Sequence, residues 1–377
     1  MRDLNEIRKD ITATDYQIKE LFLKRMSLAE EVAHYKIQSG DKILKADREQ
    51  ELLDSMIQNM PENIRPNFSS VLKSTIRVSR KHQYEEVLRE NPEKLKIESQ
   101  SRDDHPAIVC YQGLPASYQH RAARILYPRA QYEHTDTFED VFRKIADGQA
   151  GVGIVPVENS TAGTINEVYD LLVKYNLYIN RSHICRIRHC LAGIPGAQME
   201  QIHDVYSHPQ ALGQCSHYIE NHGFHANRTS NTAVAADFVK TENNPHYAAI
   251  CSPEAAALYG LEILQENVND CKFNQTRFIA ISRSLTAEKT DDRISMVFTI
   301  PHVCGSLSST LSIFSDYESN LTEIHSRPQV DMPWTYRFYV DFSGNLLEDN
   351  IRCLVYQLME ELPFVKLLGC YQVSQSS

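Results

Sequence analysis

The sequence predicts a multidomain fold: an all-α segment, then an α/β segment, then a ferredoxin-like α+β segment. From Leu4 to about Gln38 no proline or glycine interrupts a run of helix formers. From Pro106 the pattern becomes strand, polar turn and helix, repeated, which marks an α/β domain with mainly parallel sheets. From about Asp292 to Tyr371 the order reads β-α-β-β-α-β. At 377 residues the chain is long enough for two or three cores. The expected boundaries are 1–90, a charged linker at 91–105, then 106–285 and 292–373.

Composition excludes several classes. An apolar fraction of 42% with 23% charged residues is globular. No apolar run approaches the roughly 20 residues that span a bilayer, so no membrane partner is expected. The start, Met-Arg-Asp-Leu-Asn-Glu, has no apolar signal core, and a cytoplasmic location is expected. Nine cysteines, none in a Cys-x-x-Cys pair, support neither a disulfide framework nor a zinc ribbon. His217, His222 and His225 do not share one helical face, so no metal and no cofactor are expected. A formal charge of -10 disfavours nucleic acid as a partner.

In the helical segment Leu4, Ile7, Ile11, Thr14, Ile18, Leu21, Arg25, Leu28 and Val32 alternate steps of three and four, a heptad-like seam. At about 1.5 Å per residue this helix is roughly 50 Å long, which suits packing against a second chain. Further helices are expected over about Asp47 to Asn59 and Asn67 to Arg89, with Pro61 and Pro66 bracketing the connection. Arg25 interrupts the apolar stripe, and Arg8 and Lys36 share its helix. Buried cations without acidic partners require an anionic ligand; converging here, they describe a pocket for a dicarboxylate.

These residues carry a resemblance. Arg8 in Ile-Arg-Lys-Asp-Ile, Arg25 in Leu-Lys-Arg, Lys36, Asp47-Arg48-Glu49, and Ser79 with Gln83 are similar to the all-helical chorismate mutase family over roughly residues 1–90. The resemblance implies an intertwined homodimer in which Arg8 reaches the partner's site. It implies that Arg8, Arg25 and Arg48 hold the carboxylates of chorismate, Lys36 and Gln83 donate to the ether oxygen, Glu49 takes the ring hydroxyl, and Ser79 supports the ring carboxylate. Lys45 stands where many relatives carry an acidic residue. A pericyclic rearrangement moves no proton, so such a site works by fixing geometry and stabilising charge on the breaking C–O bond.

In the α/β segment, Asn274-Gln275-Thr276-Arg277 runs into an apolar strand, Phe278 to Ile281. Polar side chains at the mouth of a buried strand are where open α/β domains bind ligands. Polar turns elsewhere bring N–H groups and partial positive charge to strand ends, although any one of them also reads as an ordinary N-cap. A crossover near Tyr178 to Ile187 and a return near Leu261 to Arg277 suit two lobes with a cleft between. Gln112-Gly-Leu-Pro-Ala-Ser-Tyr118, Val157-Glu-Asn-Ser160, His189-Cys-Leu191, Ser207-His-Pro-Gln210 with Gln214-Cys215, Asn231-Thr-Ala233 and Asn274-x-Thr-Arg-Phe278 resemble the prephenate dehydratase signature in order. Gln119 and Asn231 depart from the commoner serine and acidic residue. The implied fold is α/β, two-lobed and periplasmic-binding-protein-like, and the implied substrate is prephenate.

Loss of carbon dioxide and hydroxide from prephenate asks for donors to the leaving hydroxyl without an arginine locked on the ring carboxylate, which would stabilise the ground state. Neutral Asn159, Ser160, Ser207, Gln214 and Thr276 suit that need. Thr276 is expected to donate to the leaving hydroxyl, and Glu158, after apolar Val-Pro-Val, to supply the proton. Arg277 reads as a structural partner of an acidic residue.

The last segment resembles the regulatory ACT domain, which implies phenylalanine as effector at subunit interfaces. Gly305 and Leu307 stand in Gly-Ser-Leu for the usual Gly-Ala-Leu, and Ser326 and Arg327 follow His325 where Glu is usual. The favoured reading is a bifunctional enzyme of phenylalanine biosynthesis, dimeric or tetrameric. The alternatives are a non-catalytic ligand sensor with a degenerate mutase, or a dehydratase preferring arogenate.

Overall fold

The structure, a computed structural model, describes residues 2–95, 97, 101–271, 273–329 and 335–375. Lys272, Pro333 and linker residues 96 and 98–100 lie outside the described residues. Helices α1 (Leu4–Ser39), α2 (Ala46–Ile57) and α3 (Arg65–Glu90) come first. Asp3 caps α1 by accepting the Asn5 N–H, and Gly40 ends it in the left-handed conformation. Pro61 lies in the connection after α2, and Pro66 closes it. Pro66 occupies the first turn of α3, where its missing N–H costs nothing.

The chain continues through β1 (Ile108–Gln112), α4 (Tyr118–Leu126), β2 (Gln131–Thr135), α5 (Phe138–Ala146), β3 (Val152–Asn159), β4 (Gly163–Thr164), α6 (Asn166–Lys174) and β5 (Tyr178–Arg186). It crosses into β6 (Cys190–Gly193), β7 (Asp204–Ser207), α7 (Pro209–Gly213), α8 (Ser216–His222), β8 (His225–Arg228), α9 (Thr232–Glu242), β9 (Tyr247–Cys251), α10 (Pro253–Tyr259) and β10 (Glu262–Gln265), then returns through β11 (Gln275–Ser282). The remaining elements are β12 (Arg293–Thr299), α11 (Ser306–Asp316), β13 (Leu321–Pro328), β14 (Tyr336–Ser343), α12 (Asp349–Glu361), β15 (Phe364–Tyr371) and β16 (Val373–Gln375).

Two compact units result. One joins residues 1–98 with 297–365; the other joins 99–296 with 366–377. In the first unit α3 packs both on α1 and on α12. Strands β13 and β14 pair antiparallel, and the chain order β12-α11-β13-β14-α12-β15 is that of a ferredoxin-like segment. On α1 only Ala29 and Ala33 are buried, whereas Leu4, Ile11, Ile18, Leu21, Leu28 and Val32 of the seam are all exposed.

In the second unit the order β2-β1-β3-β11-β5 forms one sheet, and β10-β6-β9-β7-β8 another. The sheets are mixed rather than mainly parallel. The returning strand β11 runs antiparallel to both β3 and β5, and β6 runs antiparallel to β9 and β10. The strand that returns the chain to the first lobe, β11, and the strand that enters the second, β6, thus run against the direction that simple β-α-β units impose. Each sheet is covered by its own apolar core, built on Val109, Tyr111, Ile154 and Phe278 in one lobe and on Leu191, Val205, Ala248 and Ile250 in the other.

Candidate functional site

The helical site lies between α1, α2 and α3. Thr75, Ser79 and Gln83 recur every four residues and so share one face of α3. Arg25 donates to Ser79 Oγ and, at 3.3 Å, to the Thr75 carbonyl, while Ser79 donates to the same carbonyl at 2.9 Å. Lys36 Nζ donates to the Ile43 carbonyl at 2.7 Å and to Gln83 Oε1 at 3.1 Å, and Gln83 Nε2 donates to the Ser79 carbonyl at 3.2 Å. An ammonium carries three donors, so Lys36 keeps one for a ligand. Desolvation by burial, then the nearby Lys45, pull the Lys36 pKa below its ordinary value; burial also lowers that of Arg25.

Arg25, Lys36, Ser79 and Gln83 are therefore together, and Glu49 joins them through Arg80, whose Nη1 lies 2.5 Å from its Oε2. Arg48 is exposed on α2. Arg8 is exposed and seventeen positions before Arg25, about 25 Å along the helix axis at about 1.5 Å per residue. It is not brought to this site within one chain.

The central cleft, 400 Å³ in volume, is lined from both lobes of the second unit: Gln112, Tyr118, Asn159 and Thr276 on one side, His208, Gln210, Gln214 and Asn231 on the other. Among the described residues, none that lines it is an acid, a lysine or an arginine. Gly113, at φ 96°, permits the close approach of the lobes, because a Cβ there would stand 2.7 Å from Asn231 Nδ2. Ser117 and Asn231 do cap α4 and α9, yet both line the cleft. So do both departures from the family pattern, Gln119 and Asn231.

Hydrogen bonds at the cleft close into a ring with one direction. Asn159 Oδ1 accepts the N–H groups of Thr161 and Ala162, each at 3.0 Å, which turns its Nδ2 toward Asn274 and Thr276. Nδ2 then donates to Asn274 Oδ1 at 2.9 Å and to Thr276 Oγ1 at 2.8 Å. Asn274 Nδ2 donates to Gln214 Oε1 at 2.8 Å, Gln214 Nε2 to Thr161 Oγ1 at 3.1 Å, and Thr161 Oγ1 back to Asn159 Oδ1 at 2.7 Å. Bonds in such a chain polarise one another. Because Thr276 Oγ1 accepts from a pure donor, its own proton is directed elsewhere. Thr276 is 7% exposed and lines the cleft.

Three sequence expectations change here. Glu158 does not line the cleft: side chains alternate along β3, so it turns from the face of Asn159 and its carboxylate lies 3.6 Å from Arg277 Nε. It is not placed to protonate a group in the cleft. Ser207 is fully buried and donates to the Ile250 carbonyl at 2.5 Å, tying β7 to β9. Ser160 is exposed, donates to the Phe273 carbonyl and accepts the Gln275 N–H at 2.9 Å, stapling the start of β11. Both hydroxyls are committed to backbone and lie outside the cleft lining.

Sequence reasoning named no role for His189, Tyr118, Thr161 or Asn274. Tyr118, His189 and Asn274 lie within the dehydratase-like motifs, which is where the sequence carries a signal for them. His189 is 2% exposed, with Nε2 3.1 Å from Gln214 Oε1 and Nδ1 3.2 Å from the Tyr118 hydroxyl. Burial pushes its imidazole down to about 4, outweighing the bond to Gln214. It is neutral at pH 7 with its proton on Nε2. Since its folded pKa lies below the unfolded value of about 6.5, protonation favours unfolding. Its stabilisation is complete above about pH 6.5 and is lost as pH falls to about 4, by up to about 3 kcal/mol. Denaturant melts of His189→Gln, which keeps an N–H donor, should show a smaller acid loss than wild type; parallel losses would contradict this.

In the ferredoxin-like segment Gly305 and Leu307 line a 270 Å³ cavity with His302, Tyr336 and Phe338. Gly305, at φ 83°, supplies the left-handed entry to α11. Ser326 and Arg327 lie on β13, the edge strand, outside that lining. His325 stacks on Tyr339 with centroids 5.2 Å apart.

Residues 109–286 match the family described as prephenate dehydratase, and residues 7–84 the family described as chorismate mutase type II. The chain is 33% identical to arogenate dehydratase/prephenate dehydratase 1, chloroplastic, of Arabidopsis thaliana, over 72% of this chain and 74% of that protein. It is 28% identical to the bifunctional chorismate mutase/prephenate dehydratase of Escherichia coli K12, over 97% of this chain and 95% of that one. The crystal structure of prephenate dehydratase from Arthrobacter aurescens in complex with L-Phe is similar with a TM-score of 0.65 and 26% identity, over 70% of this chain and 89% of that chain. The order of motifs, the donor ring at the cleft and the near full-length likeness agree: the chain belongs to the prephenate dehydratase family, in the form that carries a type II chorismate mutase segment ahead of the dehydratase.

Proposed function

We propose that this chain rearranges chorismate to prephenate in the helical site and converts prephenate to phenylpyruvate in the cleft, two steps of phenylalanine biosynthesis in the cytoplasm. The observation that carries the second step is the directed ring that leaves the Thr276 proton free in an uncharged cleft. Thr276 donates to the departing hydroxyl, Asn159 and Gln214 hold it in place, and among the described residues no arginine lines the cleft to restrain the carboxylate that leaves as carbon dioxide. With Glu158 paired to Arg277 and His189 neutral, neither is the acid; Thr276 acts by hydrogen bonding to the charge that develops. In the first step Lys36 and Gln83 donate to the ether oxygen, Arg25 and Arg48 hold carboxylates, Ser79 supports the ring carboxylate, and Glu49 takes the ring hydroxyl.

The exposed seam of α1 supports a homodimer in which Arg8 enters the partner's site, with a tetramer as a further assembly. The two sheets and their double crossover support a two-lobed, periplasmic-binding-protein-like domain. The cavity at Gly305 and Leu307, with Ser326 and Arg327 on the adjacent edge strand, is proposed as the phenylalanine site of an ACT domain. Prephenate is proposed as the substrate rather than arogenate, because the ammonium of arogenate calls for a carboxylate and the described lining residues include none.

Incubation with chorismate tests the whole: prephenate and then phenylpyruvate are expected, and failure of either product overturns that step. On dilution to the monomer the mutase rate per chain should fall at least tenfold, as a buried cationic contact is worth several kcal/mol. A monomer of undiminished mutase rate would contradict the shared site. Faster turnover of arogenate than of prephenate would reverse the substrate preference.

A further inference from the structure

Helix α3 has a second functional face. Arg77, Arg80, Lys81 and Tyr84 follow the spacing of three, four and seven that lines up one side of a helix. All four reach the C-terminal elements of their own compact unit. Arg77 Nε lies 2.6 Å from Asp316 Oδ2, and Lys81 donates to the Asp316 carbonyl at 2.8 Å, at the end of α11. Tyr84 meets Tyr356 of α12 edge to face, with centroids 5.6 Å apart. Arg80 grips Glu361, the last residue of α12, through Nε at 2.8 Å and Nη2 at 3.2 Å.

The third arm of the same guanidinium, Nη1, holds Glu49. Arg80 and Glu361 are both largely buried, with side chains 14% and 7% exposed, and Glu361 is fixed in turn by Gln357 Nε2 at 3.0 Å. A planar guanidinium that is forked onto one carboxylate has little freedom left, so it fixes the position of whatever its remaining arm binds. A second feature joins the same elements. A 280 Å³ cavity has Lys36, Lys42 and Lys94 on its helical side and Tyr356 and Glu360 of α12 on the other. Lys36, the group assigned to the ether oxygen, thus faces a wall supplied by the C-terminal segment.

We infer that Arg80 is a positioning residue for Glu49 and that α12, through Glu361, is a structural part of the mutase site. The inference rests on the proposed mutase reaction, in which Glu49 receives the ring hydroxyl. Geometry is the coupling agent: a guanidinium shared between two carboxylates fixes where the Glu49 carboxylate points, and does so only while Glu361 anchors its other edge.

The test uses the full chain and a double-mutant cycle, with dehydratase turnover as the internal measure of folding. Arg80→Met is expected to lower mutase kcat/KM roughly tenfold, Glu49→Gln comparably, and the double variant no further than either alone. With a chorismate analogue lacking the ring hydroxyl, the loss from Arg80→Met should vanish, which a merely structural role would not produce. Glu361→Gln should lower mutase kcat/KM by about threefold to tenfold, and Arg80→Lys should recover part of the loss. If Arg80→Met also abolishes dehydratase turnover, Glu361→Gln and Arg80→Lys decide. Full additivity of Arg80→Met with Glu49→Gln, an equal loss on the analogue, or an unchanged mutase rate in Glu361→Gln would overturn the inference. A wild-type chain without mutase turnover would instead overturn the functional reading beneath it.

Discussion

Thr276→Ala should lower dehydratase turnover by about 100-fold to 1000-fold, the range seen when one donor to a developing anion is removed from a preorganised site. Mutase turnover in the same protein should stay at the wild-type value. Asn159 donates to Thr276 Oγ1 at 2.8 Å and therefore cannot be the recipient of its proton. The ring behind Asn159 is closed by four side chains, so the orientation of the threonine is settled before substrate arrives. Removing the hydroxyl leaves Asn159 with Asn274 and the Gln275 carbonyl as acceptors, at 2.9 and 3.1 Å, so little stability is lost. Thr276→Ser should keep most of the rate. The measurement is formation of phenylpyruvate from prephenate under saturating conditions, and near-normal turnover of the alanine variant would sink the assignment.

Lys36→Met should produce the larger of the mutase defects, again about 100-fold or more, because the ammonium is the charged donor assigned to the breaking C–O bond. The pH dependence carries a sign. Lys36 must be protonated to donate, and desolvation first and Lys45 second set its pKa below that of an ordinary lysine. Mutase activity should therefore fall on the alkaline side, beginning at lower pH than a free lysine would give. Lys45→Ala removes one of the lowering causes, so the alkaline limb should move to higher pH. Glu49 and Asp41 act in the opposite direction, and neutralising Asp41 should move the limb down. A limb that ignores both substitutions would show that Lys36 is not the titrating group.

Much of the fold was legible because it is local. The unbroken run from Leu4 set α1, the repeated strand-turn-helix pattern set the two lobes, and the β-α-β-β-α-β order set the last segment. Motifs at strand ends and helix starts found Asn159, Gln214 and Thr276, three members of the cleft. The same reasoning misjudged Glu158, Ser160 and Ser207. Whether a polar side chain at a strand end faces the cleft or a neighbouring strand depends on register and pairing, which a motif does not encode. Glu158 and Asn159 are adjacent in the chain and differ by one step of the pleat, and that step decides between an ion pair with Arg277 and a place in the cleft.

The sequence by itself determined the order of the segments, several of the polar residues at the cleft and the apolar seam of α1, since each follows from periodicity or composition within a short window. Only the tertiary structure decided which of those residues act together. The donor ring joins Asn159 and Thr161 to Gln214 and Asn274, and its direction depends on which backbone N–H groups meet one amide oxygen. Arg80 joins Glu49, 31 residues before it, to Glu361, 281 residues after it. Both are closures between distant segments, and their energy comes from geometry at the meeting point, where no local preference of the chain reaches.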